Sequence, residues 1–149
     1  MLPRPGIIFG GMTQINAYLT FNGNCREAMT FYKDCLGGEL NIQTVGETPM
    51  ASQFPPEAKN AVMHAALTNG ALVIMASDRM GKDKTTLGNA MALMLNCSSE
   101  KEINTFFSKL SAGGTIGHPL KEEFWGSVFG DFHDKFGMRW MLNWDKPKK

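Results

Sequence analysis

The sequence has no apolar run near the ~20 residues a membrane-spanning helix needs, no block of one charge sign, and no cysteine pair at metal-ligand or redox spacing. The first absence points away from the membrane. With 15 Lys and Arg against 14 Asp and Glu, the formal net charge is +1, so no basic field exists to meet a phosphate backbone. Nucleic acid is not an expected partner. The three cysteines, Cys25, Cys35 and Cys97, are an odd number that suits reduced thiols in a cytoplasmic protein rather than a disulfide framework. Cys25 stands where a helix starts, a place that can lower a thiol pKa, but no base partner can be assigned to it.

Several chemical signatures are missing as well. Gly6 to Gly11 (GIIFGG) lacks the strand, turn and helix context of a nucleotide-type donor site, and Gly81-Lys82-Asp83 lacks the hydroxyl residue of a phosphate loop. No Gly-x-Ser-x-Gly elbow occurs, which removes a serine hydrolase of that type. The opening stretch, MLPRPGIIFGGM, has too short an apolar patch for a secretory signal, so residues 1–12 read as an N-terminal extension.

What is present is a repeat. Phe21 to Gly38, FNGNCREAMTFYKDCLGG, returns in design at Asn96 to Gly114, NCSSEKEINTFFSKLSAGG. In the first copy Asn24 is placed to cap a helix carrying Ala28, Phe31, Tyr32 and Leu36 at helical spacing, with Gly37-Gly38 as the stop. In the second, Ser99 and Glu102 form a capping box before Ile103, Phe106, Phe107 and Leu110, with Gly113-Gly114 at the end. Alternating stretches flank each helix: Gln14 to Phe21, Glu39 to Val45, Ala61 to Thr68 and Ala71 to Ser77 in the first half. Ala90 to Leu95, Thr115 to Leu120, Ser127 to His133 and Met138 to Trp144 follow in the second. Asn69-Gly70 reads as a hairpin turn, and Gly46 to Asn60 as a long loop. Asp78 and Asp145 lie equally far from Gly70 and Gly137, an offset of 67, so the closing strands are superposed on these aspartates.

The expected architecture is α+β: tandem βαβββ modules over about residues 13–78 and 89–146, forming one domain over 13–146 with a linker at Arg79 to Asn89. Each module is a small sheet with a helix on one face, so the other face is available to bind a ligand in a cleft between the paired modules. Strand parity places Asn16, Tyr18 and Thr20 on that face, with Ala90, Ala92 and Met94 as their counterparts. His64, in an alternating strand with Ala66 and Thr68, is a candidate base or ligand hydrogen-bond partner, and Asp78 is the second catalytic candidate. His64 has an equally weighted reading as a core histidine, and His118 and His133 are expected to sit exposed by turns. Phe124 and Trp125 suit a cleft rim, and Asn143 joins the candidate ligand-binding set of Tyr18, Thr20, His64, Asp78, Phe124 and Trp125.

FNGNCREAMTFYKDCLGG, HAALTNGALVIMASD, LSAGG, FWGSVFG and DKFGMRWMLN together resemble the PhnB-like (YjdN-like) group of the glyoxalase/bleomycin resistance/extradiol dioxygenase, or vicinal oxygen chelate, superfamily. The resemblance spans residues 15–144. It implies the glyoxalase-type fold, a homodimer, and a small-molecule ligand. It also implies metal ligands, in the metal-using members, at positions held here by Asn16, Ala90, Ile74 and Met141. None of these four suits a divalent metal, so no metal and no other cofactor is expected. The alternative is a metal-dependent or acid–base enzyme of the glyoxalase/dioxygenase type. A ubiquinone-pathway methyltransferase label also travels with this group, and the missing donor-binding turn argues against it.

Overall fold

The computed structural model describes residues 12–147. The N-terminal extension read over residues 1–12 lies, but for Met12, outside the described residues. The chain divides into two compact units at Thr85 and Thr86. Among the described residues no helix is long and apolar enough to cross a membrane.

The first unit holds β1 (Ala17–Phe21), α1 (Cys25–Leu36), β2 (Glu39–Thr44), β3 (Val62–Asn69) and β4 (Leu72–Asp78). Its sheet runs in the order β1-β4-β3-β2, with β1 parallel to β4 and the other pairs antiparallel. Helix α1 buries Ala28, Met29, Tyr32 and Leu36 toward the sheet, where Phe21, Ala65, Leu67, Ile74 and Ala76 are also buried. Each buried aliphatic side chain removed from water contributes roughly 1.5–3 kcal/mol, which is why this face dominates the unit's stability.

The second unit repeats the order with β5 (Leu93–Asn96), α2 (Glu100–Ser111), β6 (Thr115–Glu122), β7 (Ser127–His133) and β8 (Arg139–Asp145), in a sheet ordered β5-β8-β7-β6. Here α2 packs Phe107 edge-on to Phe132 at 5.0 Å between ring centres, above buried Trp140 and Leu142. Both helix terminations rest on glycine. A Cβ on Gly38 would come within 2.3 Å of the Thr68 carbonyl oxygen, and one on Gly114 within 2.0 Å of that of His133. The paired glycines therefore let each helix end against its own sheet.

Three local expectations are corrected. Asn24 stands at the α1 N-cap without a side-chain bond; the Asp78 carboxylate takes the Cys25 N–H instead, at 2.9 Å. The hairpin turn is Gly70-Ala71, because Asn69 pairs with Leu72 and sends its side-chain amide to the Leu36 carbonyl at 2.9 Å. The loop after β2 contains three short 3-10 turns, Val45–Glu47, Ala51–Gln53 and Pro56–Ala58.

Candidate functional site

In the first unit, the register of β1 on β4 pairs Tyr18 with Met75 and Thr20 with Ser77, while Ala17, Leu19 and Phe21 pair with Ile74, Ala76 and Asp78. The second set lies on the α1 side, so Tyr18, Thr20, Met75 and Ser77 share the face turned away from the helix. Pairing of Ala66 with Met75 puts Ala66, and by alternation His64, on that same face. The Tyr18 and His64 ring centres are 6.1 Å apart at 37°, Tyr18 being 49% exposed and His64 half-buried. Three of the expected residues, Tyr18, Thr20 and His64, thus come together. Ser77 was missed, although its pairing with Thr20 adds a second hydroxyl beside the first.

Asp78 is a correction. It stands one residue past Ser77, on the helix side, and is buried. One carboxylate oxygen accepts the Cys25 N–H and the other the Val62 N–H, at 2.9 and 2.8 Å. Asp78 ties the start of α1 to the start of β3, which makes it a structural acceptor rather than a group of the open face. A depression of about 530 Å³ over this point is lined by Arg26, Glu27, Thr30, Asn60 and Asp78 itself. The Cys25 thiol beneath it is pushed up to about 12, first by burial and then by the Asp78 charge. The lowered thiol pKa considered for a helix start is reversed, because burial and the Asp78 charge outweigh the lowering influence of Arg26.

In the second unit the open face carries Met94, Asn96, Met141 and Asn143, paired Met94 with Met141 and Asn96 with Asn143. The Asn143 side-chain amide donates to Asn96 at 3.3 Å and to Asp145 at 3.2 Å. Asp145 also accepts the hydroxyl of buried Ser127, and these two hydrogen bonds hold its carboxyl below the ordinary value. Phe124 and Trp125 form the β6–β7 turn, 96% and 56% exposed, edge-on at 4.9 Å. Asn143 is two positions from Asp145, which pairs with Ser127 at the foot of that turn. His118, expected beside a turn, instead lies within β6 and meets Asp131 of β7.

The donor set for a divalent metal does not fit. Among the described residues no three His, Cys, Asp or Glu side chains group as ligands. Ile74, taken as a last-strand ligand position, faces the helix, and the open-face residue beside it is Met75. Tyr18, Met75, Met94 and Met141 occupy the paired open-face positions, and thioethers are poor partners for hard divalent ions.

The family model described as 3-demethylubiquinone-9 3-methyltransferase matches residues 13–143. Protein YjdN of Escherichia coli K12 is 33% identical over 138 residues, covering 87% of this chain and 93% of its own. Among solved structures, protein PA1353 of Pseudomonas aeruginosa is 37% identical with a TM-score of 0.81, covering 91% of this chain and all of its own. A PhnB protein of Bacillus cereus is 30% identical with a TM-score of 0.70, over 89% of this chain and 99% of its own. Glyoxalase/bleomycin resistance proteins at 12% and 14% identity share the fold alone.

Proposed function

Because the chain belongs to the PhnB-like (YjdN-like) group of the glyoxalase/bleomycin resistance superfamily, we propose that it binds a small molecule on the sheet face turned away from α1, without a metal. The observation that carries this reading is the exposed Tyr18 ring set against His64, beside the hydroxyl residues Thr20 and Ser77. A flat ring with adjacent donors and acceptors suits a ligand that is part apolar and part polar. Phe124, Trp125 and Asn143 offer the same mixture in the second unit. The protein acts in the cytoplasm as a homodimer on this reading.

The methyl transfer in the family description is not adopted. Neither βαβββ unit offers the glycine-rich turn from a strand directly into a helix over a parallel sheet that would seat a nucleotide-type methyl donor. The test is a thermal-shift screen of small aromatic and heterocyclic acids against the metal-free protein, repeated with Tyr18→Ala. Binding that weakens roughly tenfold or more in the variant, at unchanged unliganded melting temperature, supports the reading. Binding that requires added divalent metal, or that ignores Tyr18, contradicts it.

A further inference from the structure

The second unit carries a histidine held twice by one carboxylate. His118 donates through Nδ1 to Asp131 Oδ2 at 2.9 Å, and its backbone N–H donates to Asp131 Oδ1 at 3.0 Å. Since an ionised carboxylate only accepts, Nδ1 carries a proton, and in the neutral ring Nε2 is left to present a lone pair. The Asp131 side chain is 11% exposed and that of His118 78%, so the acceptor is sheltered and the ring is not. Arg139 of β8 stands 3.7 Å from the same Asp131 oxygen, a long contact that leaves guanidinium donors for another anion.

The backbone is shaped around this pair. The register of β6 on β7 shifts between Ile116 and His118 and again between His118 and Lys121. Such bulges re-aim the side chains they bracket. A Cβ on Gly117 would come 2.3 Å from Asp131 Oδ1, and one on Gly130 would come 2.9 Å from the His118 carbonyl oxygen. Glycine at both places lets the strands close on the pair. A peg for the bulge needs one side-chain donor; the imidazole adds a second nitrogen of fixed tautomer on an exposed ring.

We propose that His118 is a proton-accepting centre for a small anionic acid, whose negative group meets Arg139 and whose acidic C–H or O–H meets Nε2. In the step, one proton passes from the ligand to Nε2, Asp131 balances the imidazolium, and the ligand's new negative charge stays near the Arg139 guanidinium. This adds proton transfer to the binding reading above but stands on different residues. Ligand binding is read on Tyr18→Ala and proton exchange on His118→Asn, in separate assays, so the two fail separately.

Pyruvate serves as the probe, offering a carboxylate and exchangeable methyl protons, with loss of the methyl signal in D2O followed by NMR. The protein should speed exchange about 10²-fold over buffer, the low end for a positioned base. His118→Asn, whose amide can keep the bond to Asp131, should retain the melting temperature and lose the acceleration. Arg139→Gln should need several-fold more pyruvate for the same rate. Should His118→Asn fail to fold, His118→Gln, whose longer amide also reaches toward Asp131, must lose the exchange at native melting temperature. Buffer-rate exchange with the native protein, or native-like exchange after either change to His118, overturns the proposal.

Discussion

At the scale of single residues, strand parity separates structural groups from open-face groups. Asp78 holds two backbone N–H groups, those of Cys25 and Val62, so Asp78→Ala leaves both buried donors unmet. The variant should lose about 3 kcal/mol or more in urea denaturation, whereas Tyr18→Ala should stay within about 0.5 kcal/mol. Thiol ionisation supplies a second check. Unfolded cysteines ionise near 9.0, while folded Cys25 is pushed up to about 12 and Cys97 to about 11, each mainly by burial. Between those values the unfolded chain gives up protons that the folded one keeps, so stability falls as pH rises above 9.0. Urea midpoints on either side of that pH should show the decline, and both thiols should resist a thiol reagent at neutral pH until the protein is denatured. Tyr18, Thr20 and His64 were legible because they alternate within single strands. Asp78 was misplaced because Ser77 and Asp78 adjoin at a strand end, and only the pairing with Thr20 and Phe21 assigns their faces. The His118–Asp131 pair was invisible for another reason: bulges leave no periodic trace in a sequence.

At the scale of elements, the two helices have the same length and face but different starts. The Glu102 N–H donates to Ser99 Oγ at 3.1 Å, and Glu102 accepts the Ser98 N–H at 3.0 Å, so Ser99→Ala should cost about 1 kcal/mol. Asn24→Ala should cost less, because no side-chain bond is lost there and Asp78 supplies the acceptor. The helix stops provide a sharper contrast. Gly38→Ala and Gly114→Ala each drive a Cβ into a strand carbonyl, while Gly23→Ala meets no atom within 4 Å. Chemical denaturation should rank the first two well below the third, although Gly23, at φ 93°, carries a backbone cost of about 1–2 kcal/mol of its own. The capping box and glycine pairs could be read directly, because each is a local pattern. The acceptor that replaces the Asn24 cap comes from a strand residue 53 positions beyond Cys25, outside any local pattern.

At the scale of the whole molecule, the repeat is legible from two helices with matching stops, and the tandem βαβββ order follows from the strands around them. The finer superposition failed. An odd offset of 67 aligns Asp78 with Asp145, but Asp78 shares the helix side with Phe21 whereas Asp145 pairs with Ser127 in line with Asn143 on the opposite face. With the parity corrected, the open-face positions beside the first strands are Met75 and Met141, and the case for a metal-free ligand site rests on those residues. Native mass spectrometry of the protein as purified, paired with elemental analysis, tests that claim most directly. The expected result is a metal-free dimer that carries, or takes up from a ligand screen, an organic molecule. Stoichiometric iron, manganese, nickel or zinc bound to the folded protein would contradict it.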